Sequence, residues 1–70
     1  MYEDLNNGDI IRHFKGTEYS FVSWAKHTET AELLMIYRTL DGLITYARPH
    51  TMFYNMVEHE GALVPRFAKV

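Results

Sequence analysis

The fold of this chain is best predicted from residues 33–48, Leu33-Leu34-Met35-Ile36-Tyr37-Arg38-Thr39-Leu40-Asp41-Gly42-Leu43-Ile44-Thr45-Tyr46-Ala47-Arg48. An Asp-Gly pair between two apolar runs is a strong signal for a β-hairpin. The second run is rich in β-branched and aromatic residues, which is typical of strands. We therefore predict that residues 33–40 pair with residues 43–48 across a two-residue turn.

The same stretch has a second interpretation as a helix. Thr28 is a suitable N-cap, glutamates follow it in the first turn, and Gly42 suits a C-terminal cap. Periodicity alone does not separate a short apolar run in a strand from one in a helix. We favour the hairpin because the Asp-Gly turn and the return strand both support it.

Four further segments complete the predicted architecture. Residues 10–15 and 19–27 alternate between apolar and polar side chains, as strands do. Pro49 ends the strand of residues 43–48, and residues 50–57 suit a short helical segment. Residues 66–70 form the last strand. In residues 19–27, strict alternation places Val22 and Trp24 on the face opposite to Tyr19 and Phe21. The prediction is a mainly-β fold, a small five-stranded SH3-like barrel with a helical turn before its last strand. A barrel of the oligonucleotide-binding type is the nearest alternative.

Seventy residues allow one domain, which we place at residues 9–70 behind a flexible N-terminal arm of residues 1–8. The core depends on ten aromatic residues, with Met35, Met52 and Met56 as core fillers. The chain has no cysteine, which excludes disulfides and thiolate metal sites and suits a reducing compartment.

Charge and hydropathy narrow the function classes. A net charge of −2 argues against a general nucleic-acid binder. The longest apolar run, residues 33–37, is too short for a membrane span, and the acidic start is unlike a signal peptide. We therefore predict a cytoplasmic protein without a membrane segment. The four histidines form no metal signature, and we predict neither a metal nor a cofactor.

The chain contains, in this order, the short motifs His13-Phe14-Lys15-Gly16, Tyr19, His27-Thr28-Glu29-Thr30, Tyr37-Arg38, Arg48-Pro49 with Met52-Phe53, and Pro65-Arg66-Phe67. This ordered set resembles a family of short bacterial proteins of unknown function, numbered 1653. The resemblance spans roughly residues 8 to 70 and implies a shared fold and site without an established activity. The family has Trp-Val before its Arg-Pro pair, where this chain has Tyr46-Ala47.

The leading functional interpretation is a non-enzymatic module that binds a peptide or a small anionic ligand. Arginine recognises carboxylates and phosphates through a planar fork of donors, and aromatic side chains line ligand grooves. The predicted groove is lined by Tyr19, Tyr37 and Phe53, with Arg48, His27 and Glu29 at its rim.

Three other interpretations remain open. In a small enzyme acting on a phosphorylated or acidic molecule, His27 is the base, Glu29 orients it, and Arg48 or Arg66 clamps the anion. In a purely structural role, Arg38 and Arg66 pair with Glu29 or Glu32 and brace the loops. The apolar composition also permits a homo-oligomer.

Overall fold

A computed structural model of the chain describes residues 5–70, except for the side chain of Tyr54. These residues form seven strands and one short helix. The elements are β1 (Ile10–His13), β2 (Glu18–Lys26), β3 (Leu33–Thr39), β4 (Thr45–Pro49), α1 (Thr51–Tyr54), β5 (Met56–His59), β6 (Ala62–Pro65) and β7 (Phe67–Lys69).

The strands form two antiparallel sheets. Five of them lie in the order β4-β3-β2-β1-β7, and β5 and β6 form a separate hairpin. The mainly-β prediction is confirmed. The predicted count of five strands is wrong, because residues 56–65 form a hairpin of their own.

The central hairpin is confirmed, and the helical alternative for residues 28–40 is wrong. β3 pairs with β4 from Leu34 opposite Pro49 to Arg38 opposite Thr45. The turn is wider than the predicted two residues and takes up residues 40–44. Asp41 explains the width, since its carboxylate accepts hydrogen bonds from the Leu43 N–H and the Thr39 hydroxyl.

The predicted helical segment of residues 50–57 is shorter than expected. α1 ends at Tyr54, and the backbone of its C-cap residue Asn55 is extended with φ −64° and ψ 145°. The backbone carbonyl of Asn55 accepts from the Arg66 N–H at 2.9 Å, so the chain turns here into β5. Met56 is 54% exposed as a result, and its prediction as a core residue is wrong, whereas Met35 is fully buried.

The predicted face of Trp24 on β2 is wrong, because the strand contains a β-bulge. The register with β3 shifts between Phe21 and Ser23, which leaves one extra residue on β2. After the bulge, Trp24 lies on the same face as Phe21, with ring centroids 5.3 Å apart. An extra residue reverses the alternation and bends the strand, so strict period-two counting fails here.

One face of the five-stranded sheet is the inner face and carries the core. From the sheet, Ile11, Phe21, Met35, Tyr37 and Phe67 are buried in this core, and Leu5 and Phe53 join them from outside the sheet. The guanidinium carbon of Arg48 on β4 lies 5.3 Å from the Phe67 ring centroid on β7. These edge strands would be about 19 Å apart in a flat five-stranded sheet, so the sheet is strongly curled.

The curl stops short of a closed barrel among the described residues. β4 and β7 are the two ends of the sheet, and neither pairs with a further strand within residues 5–70. An SH3-like barrel is therefore not confirmed.

Part of the predicted N-terminal arm lies outside the described residues, namely residues 1–4. Leu5 packs into the core at 7% exposure, and the Gly8 N–H donates to the Phe21 carbonyl at 2.8 Å. The division into an arm and a domain stays a prediction. Within residues 5–70, no helix has the length and apolar character that a membrane span requires.

Candidate functional site

Aromatic side chains gather at the end of the inner face that holds the edge strand β4. The Tyr37 ring stacks on Tyr46 at 5.3 Å and meets Tyr19 edge-on at 5.1 Å. Phe67 lies 5.5 Å from Tyr37. Tyr37 and Phe67 are buried, whereas Tyr46 is 40% exposed, so the cluster has one face in the core and one in solvent.

Arg48 lies on this cluster and is partly buried. Its Nε donates to the Tyr37 hydroxyl at 3.2 Å, and its guanidinium group stands over the Phe67 ring. β4 places it there, because Arg48 is opposite the buried Met35 and shares its face. Among the described side chains, no carboxylate forms an ion pair with Arg48.

Arg66 approaches the same region from the bend between β6 and β7. Its backbone is fixed on both sides, since its N–H donates to Asn55 and its carbonyl accepts from the Phe14 N–H at 2.8 Å. Its side-chain Nε donates to the Asn55 Oδ1 at 3.0 Å. The described ion pairs include none with Arg66.

His13 lies near both Arg48 and Arg66. Its ring meets Phe67 edge-on at 5.0 Å, and its Nδ1 accepts from the Lys15 N–H at 3.2 Å. An accepting Nδ1 assigns the proton of the neutral ring to Nε2. Burial lowers the pKa of His13, and the positive charges of Arg48, Arg66 and Lys15 lower it further. The neutral ring therefore adds an Nε2–H donor to a region that is already positively charged.

Tyr19 lies near the positive charge of Arg48. Burial raises the pKa of Tyr19, and the neighbouring Tyr37 and Tyr46 raise it too, while Arg48 lowers it. The phenol is therefore protonated at neutral pH. The site offers N–H and O–H donors and positive charge, which is the chemistry of an anion site.

Three of the six predicted groove residues come together, namely Tyr19, Tyr37 and Arg48. Phe53 is 1% exposed and lies below them, stacked on Phe67 at 5.6 Å, so it supports the site from within the core.

The two other predicted rim residues, His27 and Glu29, lie in the turn between β2 and β3. The Nδ1 of His27 accepts from the backbone N–H groups of Glu29 at 3.1 Å and Thr30 at 3.3 Å. No described contact joins either side chain to Arg48. The His-Thr-Glu-Thr segment thus holds its own turn together, since side chains in such loops commonly satisfy backbone N–H groups.

The predicted braces do not form among the described side chains. Arg38 is exposed on the outer face, Arg66 bonds to Asn55, and the Glu32 backbone N–H bonds to the Thr30 hydroxyl at 3.2 Å. The described ion pairs instead join Arg12 to Glu18, Lys69 to Asp9 and His59 to Glu60.

His13 also lines a neighbouring cleft of about 240 Å³ between β1, β7 and the β5–β6 hairpin. Two cations, Arg12 and Lys69, stand in its wall, and each has a carboxylate partner. The charges of the cleft are therefore neutralised within the protein, unlike those of Arg48 and Arg66. Within residues 5–70, no three histidine or acidic side chains are grouped so that they could hold a metal ion.

The predicted groove leaves out three members of this cluster, His13, Tyr46 and Phe67. His13 and Phe67 belong to the matching motifs and Tyr46 to the predicted hairpin, so the signal was present in the sequence. The alternation of β1 places His13 on the same face as the buried Ile11, and this identifies it as an inward-facing polar residue. The approach of β7 to β4 depends on the curl of the sheet, which no local pattern reveals.

The fold and the site define a small mainly-β domain with an arginine–aromatic cluster between its sheet edges. The sequence model of the family described as "Protein of unknown function (DUF1653)" matches residues 9–69. The chain belongs to this family. No curated protein and no solved structure was found to match the chain.

Proposed function

We propose that this chain is a binding module that holds an anionic group, a carboxylate or a phosphate, between Arg48 and Arg66. One observation carries the proposal. Both guanidinium groups lie close enough to His13 to lower its pKa, and neither pairs with a carboxylate among the described side chains. A partly buried cation is costly without a counter-ion, and an anionic ligand would supply one.

The anchoring of the two arginines supports a binding role. The Nε of Arg48 is held by Tyr37 and the Nε of Arg66 by Asn55, each through one hydrogen bond. The terminal amino groups of both side chains thereby stay available as donors to a ligand. Side chains that are already ordered lose less conformational entropy when they bind.

The exposed tyrosines extend the site beyond a single charge. Tyr46 is 40% exposed and stacks on the buried Tyr37, so its outer surface is a rigid aromatic surface beside Arg48. Aromatic surfaces favour stacked or edge-on rings and apolar groups. We expect a ligand with a flat or apolar part next to its anion.

The enzyme interpretation has less support. Because the Nδ1 of His27 accepts two backbone N–H bonds, the neutral ring carries its proton on Nε2. Such a ring has no free lone pair with which to act as a general base.

The test is a nuclear magnetic resonance titration of the chain with inorganic phosphate, acetate and phenyl phosphate at constant ionic strength. Arg48→Gln and Arg66→Gln each remove one proposed donor. Arg38→Gln is the matched control, because it removes the same charge from an exposed position. Losing one charge-assisted interaction is expected to weaken binding about tenfold or more.

The expected result is a set of shifts at the arginine Nε–H groups of the site and the His13 ring that saturate with phosphate or phenyl phosphate. Phenyl phosphate should bind more tightly than inorganic phosphate. The proposal is wrong if the shifts spread over all surface cations, or if Arg38→Gln weakens binding as much as both site variants do.

A further inference from the structure

β4 has an open backbone edge directly beside the anion site. The hydrogen bonds at the two ends of its ladder with β3 set the alternation, because the Thr39 N–H donates to Ile44 at 2.9 Å and the His50 N–H donates to Leu33 at 3.0 Å. In an antiparallel ladder every second residue turns its backbone groups to the partner strand.

It follows that Tyr46 and Arg48 direct their backbone groups toward β3, while Thr45 and Ala47 direct theirs away from it. No further strand within residues 5–70 pairs with this side of β4. Thr45 and Ala47 are both exposed. Their outward N–H and C=O groups form a template for one more strand.

β4 has one protective feature of an edge strand, the inward-pointing charge of Arg48, but nothing blocks its backbone groups at Thr45 and Ala47. It carries no lysine and no bulge, and its proline stands at the last position, Pro49. Natural edges are commonly blocked by charge, proline or irregularity within the strand. An exposed sheet edge is the element that β-strand addition uses to bind extended peptides.

The side chains beside this edge specify the peptide. Tyr46 and Arg48 both lie on the inner face, two positions apart. A strand added antiparallel would place one residue opposite each of them, with Cβ atoms about 4.5–5.5 Å apart. An acidic residue opposite Arg48 would give it the missing carboxylate, and an aromatic residue opposite Tyr46 would extend the ring cluster.

We infer that the ligand of the anion site is an extended peptide that adds antiparallel to β4 and has the pattern acidic–any–aromatic. The inference rests on the proposed function, because the acidic side chain is the anion that Arg48 holds. The antiparallel direction is chosen because its hydrogen bonds are more favourable per residue than those of a parallel pair.

A second copy of this chain does not fit the same edge as well. Residues 43–50 contain no aspartate or glutamate, so a neighbouring β4 would offer no carboxylate to Arg48. Pairing of two β4 edges would also leave both guanidinium groups without an anion.

The test uses the blocked peptide acetyl-Ser-Thr-Glu-Thr-Phe-Thr-Ser-amide. Two altered peptides accompany it, one with Gln for Glu and one N-methylated on the threonine between Glu and Phe. That N-methyl group removes the donor to the Ala47 carbonyl. On the protein side, Ala47→Pro removes the outward N–H, which an edge strand tolerates, and Ala47→Ser is the control that keeps it.

We expect the parent peptide to bind and to shift the resonances of residues along β4. The affinity of each altered peptide should be lower by about tenfold or more. Ala47→Pro should weaken peptide binding but leave phenyl phosphate binding unchanged. If the N-methylated peptide binds as well as the parent, strand addition is wrong whatever the effect of Ala47→Pro on folding.

The result also separates the two proposals. Phosphate binding at Arg48 and Arg66 without any peptide binding would overturn the strand-addition inference and leave the anion site standing. Absence of both would overturn both. Peptide-independent dimers in sedimentation that disappear in Ala47→Pro would assign the edge to a second copy and overturn the inference.

Discussion

His13 is the residue in which the electrostatics of the site are most directly visible. Its ring is partly buried and lies near two arginines that have no acidic partner among the described side chains. Burial and these charges both lower its pKa, so the ring reports on whatever changes the local charge.

Arg48→Gln is expected to raise the pKa of His13 toward its ordinary value of 6.5, because it removes the positive charge that lowers this pKa most after burial. Saturating phosphate should raise the pKa in the wild type for the same reason. The pKa is measured from the imidazole proton shifts against pH. An unchanged pKa in Arg48→Gln, or an equal rise in Arg38→Gln, would contradict this charge arrangement.

Because the pKa of His13 is lowered in the folded state, this residue makes the fold less stable as the pH falls. Below pH 6.5 the unfolded state binds a proton at His13 more readily than the folded state does. The contribution of His13 to the free energy of unfolding is therefore constant above pH 6.5 and falls as the pH drops toward its folded pKa. Urea denaturation at a series of pH values measures the free energy of unfolding of the wild type and of His13→Gln. The difference between the two proteins should change only below pH 6.5.

At the scale of elements, the β3–β4 turn determines where Arg48 and the open edge lie. Gly42 has φ +78°, a backbone conformation that L-amino acids other than asparagine and aspartate rarely adopt. The turn thus depends on the absence of a side chain at this position, although a Cβ there would meet no neighbouring atom.

Gly42→Ala is expected to lower the free energy of unfolding by about 1–2 kcal/mol, the cost of the left-handed conformation for a residue with a Cβ. Gly42→Asn should cost less, since asparagine tolerates this region. Urea denaturation of the three proteins measures both values. Equal stability of the alanine variant and the wild type would mean that the turn has another conformation.

The bulge in β2 is the second element that shapes the site. It brings Trp24 onto the inner face, where its ring centroid lies 6.2 Å from that of Phe53. Bulges increase the local twist and bend of a strand. The bend contributes to the curl that places Arg48 over Phe67.

At the scale of the whole molecule, α1 completes the small core. Phe53 is 1% exposed and stacks on Phe67, so it links the short helix to the sheet beneath Arg48 and its aromatic neighbours. A domain of this size has a small margin of stability, and one large buried ring is a substantial part of it.

Phe53→Ala is expected to destabilise the fold by about 3–5 kcal/mol, the usual cost of removing a buried aromatic ring. Leu43→Ala serves as its control, because Leu43 is 82% exposed and its loss should change stability by less than about 0.5 kcal/mol. Thermal or urea unfolding compares the two. A comparable loss in both variants would contradict the placement of the core.

Local patterns in the sequence predicted the mainly-β class and the central hairpin, and they singled out Tyr19, Tyr37 and Arg48, which the fold brings together. Asp41-Gly42 between apolar runs and the alternation around Tyr37 are local signals, and local signals depend only on neighbouring residues. The same locality explains the errors at Trp24 and Met56, where a bulge and a chain turn override the period of the pattern.

Arg48 comes near Arg66 and His13 only through the tertiary structure. His13 and Arg66 are neighbours in any case, because β1 pairs with β7, but Arg48 on β4 belongs to the opposite edge of the sheet and would lie far from them if the sheet were flat. Their meeting depends on the curl of the sheet, which is a sum of twist, bulge and packing over all five strands. No residue pattern along the chain records that sum.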